Sequence, residues 1–144
     1  MAANSDNKRA HLTMIQGIIT RLADKSFVLK GASLTLTSAF LVLAFREDNT
    51  EQIKFAILPV VGLWALDALF LHRERLFRRL YDVVRQKRDT SVDFSMDLEE
   101  VGRDAPGWLG AMFSRTLLIF HLSVLAVVVA TFVWSASPPS PPAP

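Results

Sequence analysis

The stretch from Ile53 to Arg88 limits what this chain can become. Residues 53–71 form an almost unbroken apolar run. About 20 such residues wound as a helix cross the hydrocarbon of a bilayer. No turn signal follows. Residues 72–88 continue as a basic helix carrying Arg73, Arg75, Arg78, Arg79, Arg85, Lys87 and Arg88. Positive charge against one end of a span marks that end as cytoplasmic. The chain therefore reads as a membrane protein whose second span extends into the cytoplasm.

Two further runs complete the pattern. Of the 144 residues, 51% are hydrophobic, and they concentrate in three runs, so the length allows one compact unit and not two domains. The spans are predicted at about 27–45, 53–71 and 116–134. The first begins near Phe27, after a long polar lead, and no small-x-small cleavage site follows it. It reads as a retained span and not a signal peptide. With no cysteine, disulfides and cysteine-based metal or redox sites are excluded.

Residues 1–8 are polar and read as disordered. From Arg9 to Lys25 the spacing predicts an amphipathic helix, with Leu12, Ile15, Ile19 and Leu22 at intervals of three and four, and Met14 and Ile18 widening the stripe. Packing on neighbouring helices, a short coiled-coil seam and a position in the membrane surface all fit that pattern. Ser33, Thr35, Thr37 and Ser38 give the first span hydroxyls able to bond to its backbone or to other helices. Residues 46–52 are a short polar connector. Pro59 is expected to kink or loosen the second span. Beyond it, Leu76, Leu80 and Val83 form one stripe, with Phe77, Tyr81 and Val84 beside it. Residues 9–25 and 76–88 would then pair as an antiparallel cytoplasmic stalk about 20 Å long.

The segment 89–105 is acidic and irregular. Asp97 and Glu100 have the spacing of a helix N-cap and its third residue, with Gly102 as the stop. Asp104 to Pro106 reads as another helix start. Residues 135–144 contain five of the seven prolines and read as a disordered, extended tail.

Charge sets the orientation. Fourteen of the sixteen Lys and Arg residues lie within residues 1–30 and 72–115. Those segments and the N-terminus belong in the cytoplasm and the C-terminus outside, in a multi-pass arrangement. The expected fold class is all-α: a polytopic protein with three transmembrane helices, two of them extended into a cytoplasmic stalk.

Ionisable groups inside spans are costly and mark candidate sites. Counted from the cytoplasmic ends, Lys30 lies roughly 5 Å deep, Asp67 about 6 Å and His121 about 8 Å, one on each span. Such a cluster lines a water-filled vestibule that binds an ion or responds to protons, or it holds three helices in register. The basic helix (Arg73, Arg75, Arg78, Arg79, Arg85, Arg88) offers anionic lipid heads or another anion a surface, or serves as a topology determinant. Nothing indicates specific nucleic-acid binding. No phosphate loop, nucleophile elbow or zinc-protease motif is present, so no catalytic, cofactor or metal residues are assigned.

The pattern His11, Ile15-Gln16, Ile18-Ile19, Arg21-Leu22-Ala23, Ser26-Phe27 and Leu29-Lys30-Gly31 resembles one in small bacterial inner-membrane proteins. The run from Arg75 to Asp82, followed by Asp93 to Met96, extends it. The resemblance implies an inner-membrane location and transfers no catalytic residues. The architecture is also similar to small membrane effectors of bacterial antiviral systems, which implies oligomerisation and gating from the cytoplasm. The leading expectation is a non-enzymatic homo-oligomeric channel or effector, with Pro59, Trp64 and Asp67 near the pathway. The alternatives are a membrane adaptor recruiting a cytoplasmic protein, and an accessory subunit of a larger membrane complex.

Overall fold

The structure is a computed structural model that describes residues 2–46 and 50–136. Described residues form helices joined by short irregular segments. Helix α1 runs unbroken over Ala2–Arg46. At 1.5 Å per residue its 45 residues reach about 68 Å. No proline interrupts it, so the amphipathic segment and the first apolar run share one helix. Residues 2–8, expected to be disordered, belong to its first turns. A 3-10 stretch, Thr50–Ala56, leads into α2, Ile57–Gln86. Then come a 3-10 turn at Asp89–Ser91, the short helices α3 (Glu99–Gly102) and α4 (Trp108–Met112), and α5 (Arg115–Ala136).

Three of these helices are long and apolar enough to cross a membrane. Helices α1 and α2 pack antiparallel along their length. Ile15 and Ile19 meet Leu80 and Val84 near one end. Lys30 meets Asp67 in the middle, and Ala44 meets Ile53 and Ala56 at the other end. The inward face of α1 reads His11, Ile15, Ile19, Leu22, Ser26, Lys30, Ser33, Thr37, Leu41 and Ala44. Its steps of four, four and three repeat every eleven residues, close to the natural period of a straight helix, so one face stays turned inward throughout.

Several stripe assignments shift. Met14, expected to widen the apolar stripe, is exposed, whereas His11 is fully buried. On α2 the buried row is Leu76, Leu80 and Val84, four apart, and Val83 turns outward. Pro59 does not kink α2, because it lies in the first turn, where its missing N–H has no intrahelical partner to lose. The residues before it adopt the tighter 3-10 form instead. The short helix is present, but Asp97 is not its N-cap: Leu98 holds that position without a side-chain cap, and Asp97 Oδ1 instead accepts from the Glu99 N–H two residues on, at 2.9 Å. The following helix begins at Trp108, two residues after Pro106. Residues 135 and 136, assigned to the tail, finish α5. The rest of that tail, and residues 47–49 of the connector, lie outside the described residues.

Helix α5 packs on α2 through Trp64, Ala68 and Leu117, and on the 3-10 stretch through Val128. A groove of about 410 Å³ separates it from α1, lined by Leu34, Thr37, Leu41, Phe120 and Val124 among others.

Candidate functional site

Asp67 is the centre of the middle layer. It lies in α2 within an otherwise apolar stretch and is fully buried. The eleven-residue period of α1 brings Ser26 and Lys30, four apart, to the same level. The Ser26 hydroxyl donates to Asp67 Oδ1. Lys30 Nζ donates to Asp67 Oδ2 at 2.6 Å and to Ser26 Oγ at 2.7 Å. From α5, His121 Nε2 approaches Asp67 Oδ2 at 3.3 Å. A carboxylate accepts, so Nε2 carries the proton in that contact. The three residues singled out from their depth along separate helices thus meet at one carboxylate. Ser26 is the fourth member, which depth alone did not single out. Its i−4 relation to Lys30 was the available signal.

Aromatic rings wall the cluster. Trp64 stacks on His121, centroids 5.6 Å apart and planes 14° from parallel. Phe120 meets His121 edge-on at 5.0 Å, and Lys30 Nζ stands 6.0 Å from the Phe120 centroid. The Trp64 indole N–H donates to the Met112 carbonyl at 3.0 Å, tying α4 to α2. Excluding water around an ion pair strengthens the attraction and raises the penalty for breaking it.

The hydroxyls on these helices divide into two kinds. Outward-facing Thr35, Ser123 and Thr131 each donate to the carbonyl four residues earlier, at 3.0, 2.6 and 2.8 Å. They are satisfied without solvent. Inward-facing Ser33 and Thr37 are buried, and their oxygens have no partner among the described residues. His121 Nδ1 is equally unpartnered. Ser33 and Thr37 continue the Ser26–Lys30 face away from the ion pair. Buried polar atoms of this kind call for partners, and bound water is the partner such a lining accepts.

The basic helix is not part of this cluster. Arg75 lies eight residues beyond Asp67, about 12 Å along the axis. Arg73 and Arg88 are exposed. Arg78 pairs with the nearly buried Glu74 at 2.7 Å, and Arg85 with Asp82 at 3.4 Å. Arg75 and Arg79 are half-buried beside a cavity of about 230 Å³ that Ala105 and Pro106 help to close.

A clasp at the far end of the helix pair went unrecognised in the sequence. His11 Nε2 donates to the Ser95 carbonyl at 3.0 Å, and its ring lies 5.4 Å from that of Phe94. Phe94 has a φ of 54°, the left-handed region, where a side chain as bulky as Phe is an outlier. Around it, the Ser95 N–H donates to Asp93 Oδ1 at 3.1 Å, and Lys87 pairs with Asp93 at 3.3 Å. Those two contacts hold the Asp93 carboxyl below its ordinary range, the Ser95 N–H being the larger cause. Lys8 donates to the Lys87 carbonyl at 2.8 Å and pairs with Asp89 at 3.3 Å. The acidic loop therefore neutralises basic groups of its own chain. The signal for His11 was its position four residues before Ile15, on the packed face.

No protein-family model, no curated protein and no solved structure matches this chain.

Proposed function

We propose that this is a non-enzymatic, multi-pass protein of a bacterial inner membrane, of channel or membrane-effector type, acting as a homo-oligomer and gated through its cytoplasmic helices. The observation that carries this reading is the inside-out distribution of polarity. Large apolar side chains such as Phe27, Ile119 and Val127 face outward. The interior of the same helices holds Lys30, Asp67, His121, Ser33 and Thr37. Water disfavours so extensive an apolar exterior, whereas lipid requires it. Intramembrane ionisable groups that face a bundle interior mark ion pathways and proton relays.

In this reading the unpartnered Ser33, Thr37 and His121 Nδ1 line a hydrated path, and the Lys30–Asp67 pair is its gate. Trp64 belongs to the wall of that path, while Pro59 stands about 12 Å from Asp67 along α2, in its first turn. The groove between α1 and α5 is where a second copy adds its helices. Three spans in one copy bury too little surface to enclose a conducting path. The paired ends of α1 and α2, with the loop clasped across them, form the cytoplasmic input. Fourteen of the sixteen cationic residues fall on that side, which supports the orientation.

The test is membrane potential and dye uptake in bacteria after induction of the intact protein and of Asp67→Asn at equal membrane levels. Depolarisation by the intact chain that the variant alters supports a permeation or gating role. An assembly that neither depolarises cells nor conducts in planar bilayers with its clasp opened by His11→Ala sinks the channel reading. The adaptor reading is favoured by one observation, the ring of Phe94 held out on the clasped loop with 40% of its surface exposed. Pull-down of a stoichiometric partner that Phe94→Ala abolishes would support it.

A further inference from the structure

We propose that the cavity bounded by His72, Arg75 and Arg79 is a site for the phosphate of an anionic lipid headgroup. The inference rests on the reading of the three apolar helices as membrane spans, and it gives the basic helix a specific ligand.

Arg75 and Arg79 are four residues apart and project from one face of α2. Both are half-buried. Neither makes an ion pair or hydrogen bond among the described residues, in contrast to Lys8, Lys30, Arg78, Arg85 and Lys87. A charge drawn out of water without an acceptor is unfavourable, so this pair of guanidinium groups calls for an anion. No described residue supplies it. Arg78 also lines the cavity, but Glu74 already neutralises it. Asp104, next to Ala105 in the opposite wall, is exposed and pairs with neither arginine.

The position suits a lipid. The site begins one residue past the apolar run 53–71, at headgroup level if that run spans. The opposite wall, Ala105 and Pro106, leads directly into Trp108 and Leu109, which are 40% and 54% exposed. Trp at that level is an interfacial anchor, and the apolar side chains beside it give acyl chains a surface. The guanidinium fork matches phosphate oxygens in a bidentate way that lysine does not. A cavity of about 230 Å³ admits a phosphodiester with a small polar substituent.

The test uses the full chain. Resistance to carbonate extraction is measured first, because loss of the chain to the soluble fraction overturns the membrane reading itself. The integral protein is then placed in nanodiscs of phosphatidylcholine with phosphatidylglycerol, and retained lipids are counted by native mass spectrometry. Three forms are compared: intact, Arg75→Gln with Arg79→Gln, and Arg85→Gln with Arg88→Gln. The last pair removes the same charge from exposed positions off the cavity. Phosphatidylglycerol preference should fall at least about tenfold in the cavity pair and stay within about twofold in the control. Equal losses in both pairs overturn the site in favour of diffuse charge attraction, as does no preference in the intact protein. Arg75→Lys with Arg79→Lys keeps the charge without the fork and guards against misfolding. Recovery of full preference by that pair overturns bidentate recognition, and a partial loss supports it. In a separate arm, inorganic phosphate is titrated into phosphatidylcholine nanodiscs. Phosphate binding with the same variant dependence, but no lipid preference, would reassign the cavity to a soluble phosphate and overturn the lipid proposal.

Discussion

The indole of Trp64 lies nearly parallel to the imidazole of His121, centroids 5.6 Å apart, while its N–H donates to the Met112 carbonyl at 3.0 Å. One side chain on α2 thus orients the histidine of α5 and closes the last turn of α4. Turning the His121 ring would move Nε2 off Asp67 and disturb the Lys30 contact.

Trp64→Phe keeps an aromatic face on His121 but leaves the Met112 carbonyl without its donor. A loss of about 1–3 kcal/mol is expected, read as an earlier thermal transition of the purified protein in detergent. An unchanged transition would mean that the indole N–H contributes nothing to holding α4.

Removing one member of the ion pair should be worse than removing both. Lys30→Met alone leaves Asp67 charged and buried, with an expected loss of about 3–5 kcal/mol. Lys30→Met combined with Asp67→Leu should regain most of it, since apolar groups of similar volume often replace buried pairs without loss. The double variant should nonetheless lose the conductance proposed for the assembly. Full conductance in that variant would reduce the pair to a structural tie.

The inward hydroxyls give an opposite sign. Ser33→Ala and Thr37→Val remove buried oxygens that have no partner among the described residues. Each is expected to leave stability unchanged or raise it by about 1 kcal/mol, while reducing conductance if those oxygens hold permeating water. The same substitutions at outward-facing Thr35 or Ser123 should change neither quantity.

The clasp should open in acid. Asp93 has its carboxyl lowered by the Ser95 N–H and by Lys87. A lowered carboxyl contributes stability that is fully present above its unfolded value. It is lost as pH falls below the ordinary Asp value and through the lowered one. Hydrogen exchange at the Ser95 amide should therefore show protection at neutral pH that declines only in strong acid. Asp93→Asn should abolish the pH dependence, whereas a dependence centred near neutrality would assign it to another group.

His11→Ala should release the loop from the helix pair. Limited proteolysis between residues 89 and 101 should quicken, with the apolar helices remaining intact. Phe94→Gly removes the ring contact and the penalty of the left-handed conformation together, so its net effect should be smaller than that of His11→Ala.

How much of this was legible depended on what each feature required. Three apolar helices followed from composition and length, because the run of side chains alone makes such a helix. Lys30, Asp67 and His121 were paired correctly because a helix converts sequence number into height at a constant rate. Ser26 followed the same rule but went unnoticed because it sits one residue before the apolar run, where a serine is ordinary. The stripes on α1 and α2 slipped by one residue at His11 and Val84. At that scale, which side of an apolar stripe faces the partner is decided by the partner.

Local sequence determined the helices, their polarity and the level of each ionisable group, since these depend on neighbours a few residues away. Tertiary structure alone decided which polar groups are satisfied. Thr35 and Thr37 are two residues apart with the same hydroxyl, yet one bonds its own helix and the other is buried without a partner among the described residues. Likewise Arg78 and Arg79 are adjacent, and among the described residues only Arg78 has a carboxylate partner. The physical reason is that a hydrogen bond or ion pair needs its acceptor within about 3 Å. That distance is set by how helices far apart in sequence come to rest against one another.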